Sequence, residues 1–321
     1  MNIDLKELNK KAESDLTALS DLSDRQYLSH LTQVCDALEA AKGTRKVLLL
    51  AGPSGSGKTT SAAIIEKMMR ERGYAAWDIS LDDFYRPKND PDYPRDENGQ
   101  LDMESVHALR TNKIRNCIQS LLSGEETVIP KYIFGEVGQI IEDGEHITVP
   151  EGGLVIIEGL HALNPLLTDG ILTEGIFRMF ISVSTNVTLG GQRIISGRKL
   201  RFIRRVVRDF YYRGMSADRT YQVWRSVLAG EDKHLYPYRH LADVSINTFH
   251  PCECTVMSPF ARRVLETLTE KNDYTETVKN AVELFFAVTD EQSQSAVSQN
   301  SLLREFMPKE KEGQKDELHK L

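Results

Sequence analysis

The segment GPSGSGKT, at residues 52–59, has the spacing G-x-x-x-x-G-K-[ST]. It follows the apolar run VLLLA and precedes a segment with helical spacing, TSAAIIEKMMRER. The glycines let the backbone bend so that several N–H groups point at phosphate oxygens, and the helix directs its positive N-terminal end at the same anion. The segment therefore predicts a nucleoside triphosphate site whose ligands are Gly52, Pro53, Ser54, Gly55, Ser56, Gly57, Lys58, Thr59 and Thr60.

Within such a site the last residues have separate tasks. Lys58 is expected to reach the β- and γ-phosphates, and the hydroxyl of Thr59 is expected to ligate Mg²⁺. A glycine-rich turn with a chance lysine is the alternative. The strand pattern before the loop and the helical pattern after it favour the phosphate site.

Residues 80–102, SLDDFYRPKNDPDYPRDENGQLD, contain six aspartates and one glutamate between proline and glycine breakers. Such a composition is typical of a surface loop. Asp82, however, ends the strand pattern that comes after the phosphate-binding loop of residues 52–59 (the P-loop) and its helix. In a parallel sheet this end of the strand lies at the same edge as the phosphates. Phosphoryl transfer to an alcohol needs a group that accepts the hydroxyl proton, and Asp82 is predicted for that role and as a neighbour of Mg²⁺. Asp83 is expected to cap a helix or to face solvent.

Five apolar runs predict buried strands of a parallel sheet, and helical patterns separate several of them. This alternation is typical of an α/β protein, here a P-loop NTPase fold with a mostly parallel sheet flanked by helices. The predicted strands are residues 47–51, 75–81, 154–160, 177–183 and 243–247.

Two further features lie between these strands. The segments TVIPKYIF and IIEDGEHITVP predict a small β excursion, a hairpin that turns at Asp143 and Gly144. The segment TLGGQR is similar to the signature of transporter ATPases, in which a strand ending in Asp-Glu follows closely. Here the comparable strand, LVIIEGL, comes before it, so LGGQ is interpreted as a flexible loop.

Composition limits the class of protein. A chain of 321 residues with 40% hydrophobic residues can bury a sizeable core, and a net charge of −7 argues against a nucleic-acid partner. The longest apolar runs are far shorter than the roughly 20 residues of a membrane span, and the first residues lack the apolar core of a secretory signal. A cytoplasmic protein without a membrane partner is expected. The four cysteines support neither a disulfide framework nor a metal site.

Arginines recur in LRFIRRVVRD at intervals of three or four residues, so they share one face of a predicted helix. In small-molecule kinases such a helix acts as a lid whose guanidinium groups neutralise the moving phosphoryl group and whose closure excludes water. A solvated basic face and a nucleic-acid patch are the alternatives, and the acidic total disfavours the second. These arginines are Arg201, Arg204, Arg205 and Arg208.

Six motifs, in order, resemble the uridine kinase and phosphoribulokinase-like family. They are GPSGSGKTT, LDDFY, PRDENGQLD, PKYIF, IIEGLHAL and RRVVRDFYYRG, and the resemblance runs from about residue 47 to residue 247. It is greatest to the bacterial uridine kinase-like branch, whose members also tend to carry LYPYRHLADVSIN and a terminal NSLLREF, which implies order up to about Phe306. The resemblance implies a kinase that transfers the γ-phosphoryl group of ATP to the hydroxyl of a small molecule.

The resemblance also implies roles for single residues. Asp82 matches the catalytic aspartate, and Glu158 matches the acidic residue near Mg²⁺, with a structural salt bridge as the alternative for Glu158. A carboxylate that ends an apolar strand is expected to have a cation or a basic partner nearby in any case, because burying it unpaired costs several kcal/mol. Arg205, Arg208 and Arg213 match the lid arginines, with Arg205 also expected near the substrate and Arg213 near the nucleotide.

On the acceptor side, Asp96 matches the family's ribose-binding aspartate by its spacing to Asp102, and Tyr132 matches an aromatic beside the nucleoside. For Tyr132 a half-buried strand aromatic is the alternative. The family's histidine that reads the pyrimidine is missing, since Val137 stands near that place. His161 and Trp224 are interpreted as a loop cap and a packing residue.

These observations predict a helical lead-in at residues 1–42, a P-loop kinase domain at 43–257, a helical extension at 258–307 and a disordered tail at 308–321. The expected reaction is ATP- and Mg²⁺-dependent phosphorylation of a nucleoside 5′-hydroxyl. A kinase for another small alcohol, such as a sugar phosphate, is one alternative. An NTPase switch without an acceptor is the other, although a lid of arginines would exclude the water that a switch must position. Assembly into a homo-oligomer is left open.

Overall fold

The computed structural model describes residues 1–41 and 43–309. These residues form two compact units. The P-loop unit consists of Arg25–Thr185 and Gln222–Phe249, and the second unit consists of Met1–Asp24, Asn186–Tyr221 and the residues from His250 onward. The segmentation at residues 42, 257 and 307 stays a prediction, and Lys42 and residues 310–321 lie outside the described residues.

The chain alternates strands and helices over most of the described length. The strands are β1 (Asn2–Asp4), β2 (Val47–Ala51), β3 (Ala76–Ser80), β4 (Thr127–Ile133), β5 (Gln139–Ile147), β6 (Leu154–Gly159), β7 (Ile176–Ser182), β8 (Asn186–Leu189), β9 (Gln192–Ile195) and β10 (Val244–Asn247). The helices are α1 (Leu5–Ser14), α2 (Leu16–Ala40), α3 (Lys58–Glu71), α4 (Thr111–Ser123), α5 (Gly197–Arg213), α6 (Ala217–His234), α7 (Glu253–Glu266), α8 (Asp273–Leu284) and α9 (Asp290–Ala296).

The P-loop unit is built on a five-stranded sheet in the order β10-β7-β2-β6-β3, with every neighbouring pair parallel. Each predicted strand is present within about one residue of its predicted ends. The central strands β2 and β6 are buried along their whole length, as expected for strands covered on both faces. The predicted α/β fold is therefore confirmed. The P-loop leaves the sheet at the carboxyl end of β2, its central strand.

The helix α2 contains the helical pattern predicted before the P-loop. Within the P-loop unit its residues Leu31, Val34 and Leu38 are buried. The hydroxyl of Tyr27 lies 2.6 Å from that of Ser61 on α3, so this part of α2 is bonded to the helix that follows the P-loop.

The small β excursion is present as the antiparallel hairpin of β4 and β5, but its turn was predicted at the wrong place. The chain reverses at residues 134–138, and Asp143 and Gly144 lie inside β5. The pairing register shifts between Ile129 and Lys131 on β4, opposite this glycine. A Cβ atom on Gly144 would overlap the carbonyl oxygen of Ile129. The glycine therefore accommodates a bulge rather than a turn.

In the second unit, β8 pairs with β9 in an antiparallel hairpin, and β1 joins β8 in parallel. Gly190 and Gly191 lie between the two strands with φ values of 59° and 80°, the left-handed region that a tight hairpin turn requires. The interpretation of LGGQ as a flexible loop was therefore wrong. The core of this unit includes Phe202, whose ring lies 5.8 Å from that of Tyr221.

Within the described residues, no helix combines the length and the apolar character needed to cross a membrane. All four cysteines are buried thiols without a disulfide partner.

Candidate active site

The P-loop backbone is fixed by its glycines. Gly55 and Gly57 have φ values of 74° and 86°, and α3 begins directly after Gly57, at Lys58. A Cβ atom on Gly52 would lie 2.6 Å from the carbonyl oxygen of Ile181, so only glycine fits where the loop leaves β2. This geometry places the N-terminus of a 14-residue helix at the loop, which is a favourable position for an anion.

Glu158 at the end of β6 lies beside the start of α3. One of its oxygens, Oε1, accepts hydrogen bonds from Thr59 Oγ1 at 3.1 Å and from Ser80 Oγ at 3.0 Å. Burial raises the pKa of this carboxyl group, the charge of Lys58 opposes the rise, and the charge of Asp82 adds to it. The structure therefore brings Lys58, Thr59, Asp82 and Glu158 together, although they are distant in sequence.

The oxygen atoms of Thr59, Asp82 and Glu158 are of the kind that Mg²⁺ prefers. Among the described residues, no group of three or more His, Cys, Asp and Glu side chains could hold a metal ion. The residues present thus fit an ion that is held by a few protein oxygens together with phosphate and water, which is how Mg²⁺ is bound in nucleotide sites.

Asp82 and Asp83 point to different partners. Both lie in a short 3₁₀ turn, Leu81–Phe84, that directly follows β3, and the hydroxyl of Ser80 accepts from the amide of Asp82 at 3.3 Å. The carboxylate of Asp83 accepts from the amide of Tyr132 at 3.2 Å and pairs with Lys131 at 3.1 Å. Asp83 was expected to cap a helix or face solvent, and that expectation was wrong, because its partners come from β4.

Aromatic side chains gather beside this turn. Tyr132 is buried, and its ring centroid lies 5.9 Å from Tyr85 and 4.9 Å from Phe134. Phe134 is 64% exposed, so one side of the cluster is open to solvent. The hydroxyl of Tyr85 donates to the carbonyl oxygen of Met103 at 3.4 Å, and burial, and next the charge of Asp82, raise the pKa of Tyr85. Sequence reasoning identified Tyr132 alone, although Tyr85 and Phe134 belong to the same motifs, LDDFY and PKYIF.

The two candidate ribose carboxylates differ in their surroundings. Asp96 is exposed, and its Oδ1 accepts from the amides of Asn98 and Gln100 at 2.9 and 2.8 Å, which closes its own turn. Asp102 is half-buried beside Tyr93. Burial, then Tyr132 and then Asp102 raise the pKa of Tyr93 to about 12. The Oδ1 of Asp102 accepts from the amide of Glu104 at 3.2 Å.

His161 follows Glu158 by three residues and is only 2% exposed. Its ring lies 5.9 Å from that of His234 in an edge-to-face arrangement. Burial, and next His234, lower the pKa of His161 to about 3, so the imidazole is neutral at working pH. Neither ring nitrogen has a hydrogen-bond partner within normal distance among the described residues. Trp224 is fully buried, as expected for a packing residue.

The arginines of α5 belong to the second unit and fall into two groups. Arg201 and Arg204 are buried, and Arg204 is paired with Glu253 of α7. The single basic face that the spacing indicated is thus partly internal. The reason is that spacing fixes which residues share a face but not what packs on it.

The remaining arginines surround Asp209, which is fully buried. Arg205, Arg208 and Arg213 lie 3.1, 3.0 and 3.3 Å from its carboxylate oxygens. Their roles toward substrate and nucleotide stay predictions.

Comparison with known proteins gives a family. The model described as "PRK: Phosphoribulokinase / Uridine kinase family" matches residues 47–253, well over half of the chain. The uridine kinase of Saccharomyces cerevisiae is 27% identical over 183 residues, which cover 56% of this chain and 32% of that protein. The uridine kinase of Halobacterium salinarum is 25% identical over 198 residues, which cover 61% of this chain and 77% of that protein. The chain therefore spans about a third of the length of the yeast relative.

Among solved structures, D-glycerate 3-kinase from Cryptococcus neoformans superposes with a TM-score of 0.44 at 12% identity, over 65% of this chain and 87% of that one. The family match, by contrast, covers the P-loop, the Asp82 turn, the hairpin, Glu158 and α5 in one continuous stretch. The chain belongs to the phosphoribulokinase/uridine kinase family.

Proposed function

We propose that this chain transfers the γ-phosphoryl group of ATP to the 5′-hydroxyl of a nucleoside, with Mg²⁺. The observation that carries the proposal is the convergence of Lys58, Thr59, Asp82 and Glu158 beside a cluster of aromatic side chains. Phosphate, metal and acceptor functions would then occupy one edge of the sheet, which is the edge where ligands of open α/β sheets bind.

Each residue has a role in this proposal. The P-loop amides and Lys58 bind the phosphates, and Thr59, Asp82 and Glu158 hold the metal. When bound, Mg²⁺ neutralises phosphate charge and orients the β- and γ-phosphates. Asp82, which is exposed, accepts the proton of the attacking hydroxyl. Arg205, Arg208 and Arg213 remain the predicted arginines that neutralise the moving phosphoryl group.

The aromatic cluster supports a nucleoside as the acceptor. The exposed Phe134 offers its ring to a planar base, and the buried Tyr132 supports it through an edge-to-face contact at 4.9 Å. We infer that Asp102 is better placed than Asp96 to bind the sugar hydroxyls. Asp102 is half-buried and its Oδ1 accepts one amide hydrogen bond, from Glu104 at 3.2 Å, whereas Asp96 is exposed and its Oδ1 accepts two. Val137, which is 46% exposed, stands near the place of the family's pyrimidine-reading histidine. This substitution keeps another small alcohol as the second candidate acceptor.

The test is ADP release from Mg²⁺-ATP in the presence of nucleosides and sugar phosphates, for the wild type and Asp82→Asn. Stimulation by one nucleoside is expected, with a loss of about 100-fold or more in the variant, because a positioned base contributes at least that factor. Asp92→Asn is the matched control, an exposed carboxylate of the same loop that is expected to leave the rate unchanged.

Two other outcomes change the conclusion in different ways. Stimulation by a sugar phosphate alone would keep the kinase and replace the acceptor. ADP release that needs no acceptor and survives Asp82→Asn would contradict the kinase and favour an NTPase switch.

A further inference from the structure

The last turn of α6 carries a buried carboxylate that contacts the P-loop. Glu231 is fully buried, and its Oε1 accepts a hydrogen bond from the backbone amide of Ser54 at 2.9 Å. Both residues belong to the P-loop unit. A buried carboxylate is costly unless it is hydrogen-bonded, so its presence beside a loop that binds anions calls for an explanation. The bond fixes the orientation of one peptide group in the loop that receives the phosphates.

The residue before Glu231 contacts the acceptor side. A Cβ atom on Gly230 would overlap Cβ of Glu104 and lie 2.8 Å from its Cγ, so the helix backbone packs directly on this side chain. Glu104 in turn raises the pKa values of Tyr85 and Tyr93. Burial and other neighbouring groups raise these two pKa values more than Glu104 does. The segment that carries Asp102 and Glu104 is thus in contact with the same helical turn as the P-loop.

One turn later, His234 packs against His161, with 5.9 Å between the ring centroids. His161 lies two residues after the end of β6, the strand that carries Glu158. Residues 230–234 therefore contact three separate segments: the P-loop, the acceptor segment and the chain after β6. We define these residues as the α6 end turn.

We propose that the α6 end turn is a positioning element in which Glu231 holds the P-loop for the nucleotide and Gly230 sets the acceptor segment through Glu104. Glu231 is a positioning residue, because it acts on phosphate through the Ser54 amide. The nucleotide half of the proposal needs only the P-loop. The acceptor half rests on the proposed function.

The first experiment measures binding of a fluorescent ADP analogue with Mg²⁺ to the full chain, without acceptor. Glu231→Asp shortens the side chain by one methylene and is expected to weaken binding about tenfold, the usual effect of losing a hydrogen bond to a charged group. Glu231→Gln keeps an oxygen that can accept from Ser54 and is expected to retain affinity within about threefold. Glu71→Gln, an exposed carboxylate of α3, is the control.

A merely structural role gives another pattern. If Glu231→Asp and Glu231→Gln both lower the melting temperature while the folded proteins bind the ADP analogue like the wild type, the positioning role is overturned. Because this readout needs no acceptor, it decides the nucleotide half even if no acceptor is ever found.

The second experiment tests the acceptor half with Gly230→Ala, whose added methyl group displaces Glu104. We expect the KM of the acceptor to rise about tenfold, because a small misplacement in the site is costly, with ADP affinity unchanged. Ala229→Ser, at an exposed neighbouring position, is the control. Equal changes in acceptor KM and ADP affinity, or no change in either, would overturn the assignment. Failure of every acceptor to stimulate the wild type would instead count against the proposed function.

Discussion

Glu158 shows at the residue scale how a functional site opposes stability. Burial raises the pKa of its carboxyl group above the ordinary value of 4.5, so the folded protein binds this proton more readily than the unfolded chain. Stability therefore falls as pH rises from the ordinary value through the raised one, and the loss is complete above it. A metal ion bound there would offset this loss.

Glu158→Gln is accordingly predicted to raise the melting temperature of the metal-free protein at pH 8 while abolishing Mg²⁺-dependent activity. The glutamine oxygen can still accept from Thr59 and Ser80, so the hydrogen bonds are kept and the charge is lost. Thermal unfolding in EDTA at pH 8 and pH 5 checks this, and the gain should shrink at the lower pH, because the raised pKa leaves a larger fraction of the wild-type carboxyl groups protonated there. A variant less stable than the wild type at pH 8 would show that the carboxylate is stabilised as an anion.

The two candidate ribose-binding carboxylates, Asp96 and Asp102, give a second prediction at this scale. Asp102→Asn is expected to raise the KM of the acceptor by about tenfold or more, since hydrogen bonds to a charged group contribute about 1.5–3 kcal/mol. Asp96→Asn is expected to leave the KM within about twofold, because its amide oxygen can still close the 96–100 turn. Steady-state kinetics with the identified acceptor checks both variants. The reverse ranking would restore the residue that motif spacing selected.

The residue scale also shows what sequence could and could not predict. Lys58 and Thr59 were predictable because the loop encodes their position through its own glycines. Glu158 was predictable because a charge at the end of an apolar strand needs a partner. The partners of Asp83 and Glu231 come from 49 and 177 residues away, and no local pattern signals them.

Among the elements, the hairpin of β4 and β5 supports the aromatic cluster through a glycine. Gly138 has a φ of 86°, and a Cβ atom there would overlap the hydroxyl end of Tyr132 and lie 3.2 Å from its Cε2. Gly138→Ala is predicted to destabilise the protein by about 1 kcal/mol or more through the strained backbone, and to raise the KM of the acceptor by moving the ring. The KM of ATP should not change.

Gly135→Ala in the same turn is the matched control, because a Cβ atom there meets nothing within 4 Å. Denaturant unfolding and steady-state kinetics on both variants separate strain from displacement. An unchanged acceptor KM in a folded Gly138→Ala protein would remove Tyr132 from the acceptor site.

Element identity was predictable where a single pattern decides it. The continuous apolar runs of β2 and β6 indicated buried parallel strands, because a strand covered on both faces has no polar side. The predicted turn at Asp143 and Gly144 was wrong, because a glycine at a bulge and a glycine in a turn look alike in sequence. Only the register shift at Ile129 distinguishes them.

At the scale of the whole molecule, the two units are interleaved along the chain, so neither unit corresponds to one continuous segment. The second unit draws on residues 1–24 as well as on residues after 185. Its strand β1 pairs with β8, with Asn2 opposite Asn186, and α1 follows immediately. Local periodicity predicts helices and strands, but it does not predict that segments so distant in sequence form one core.

The core of the second unit is therefore expected to depend on α1, whose Leu5 and Leu8 are each 1% exposed. The double variant Leu5→Ala/Leu8→Ala should lose about 4 kcal/mol or more of unfolding free energy, since each buried leucine truncated to alanine costs about 2–5 kcal/mol. The exposed lysines of the same helix provide the control Lys6→Ala/Lys10→Ala, expected within about 0.5 kcal/mol of the wild type per site. Urea unfolding followed by fluorescence and circular dichroism measures both variants. Equal urea midpoints for the leucine and the lysine double variants would show that α1 contributes nothing to the core of the second unit.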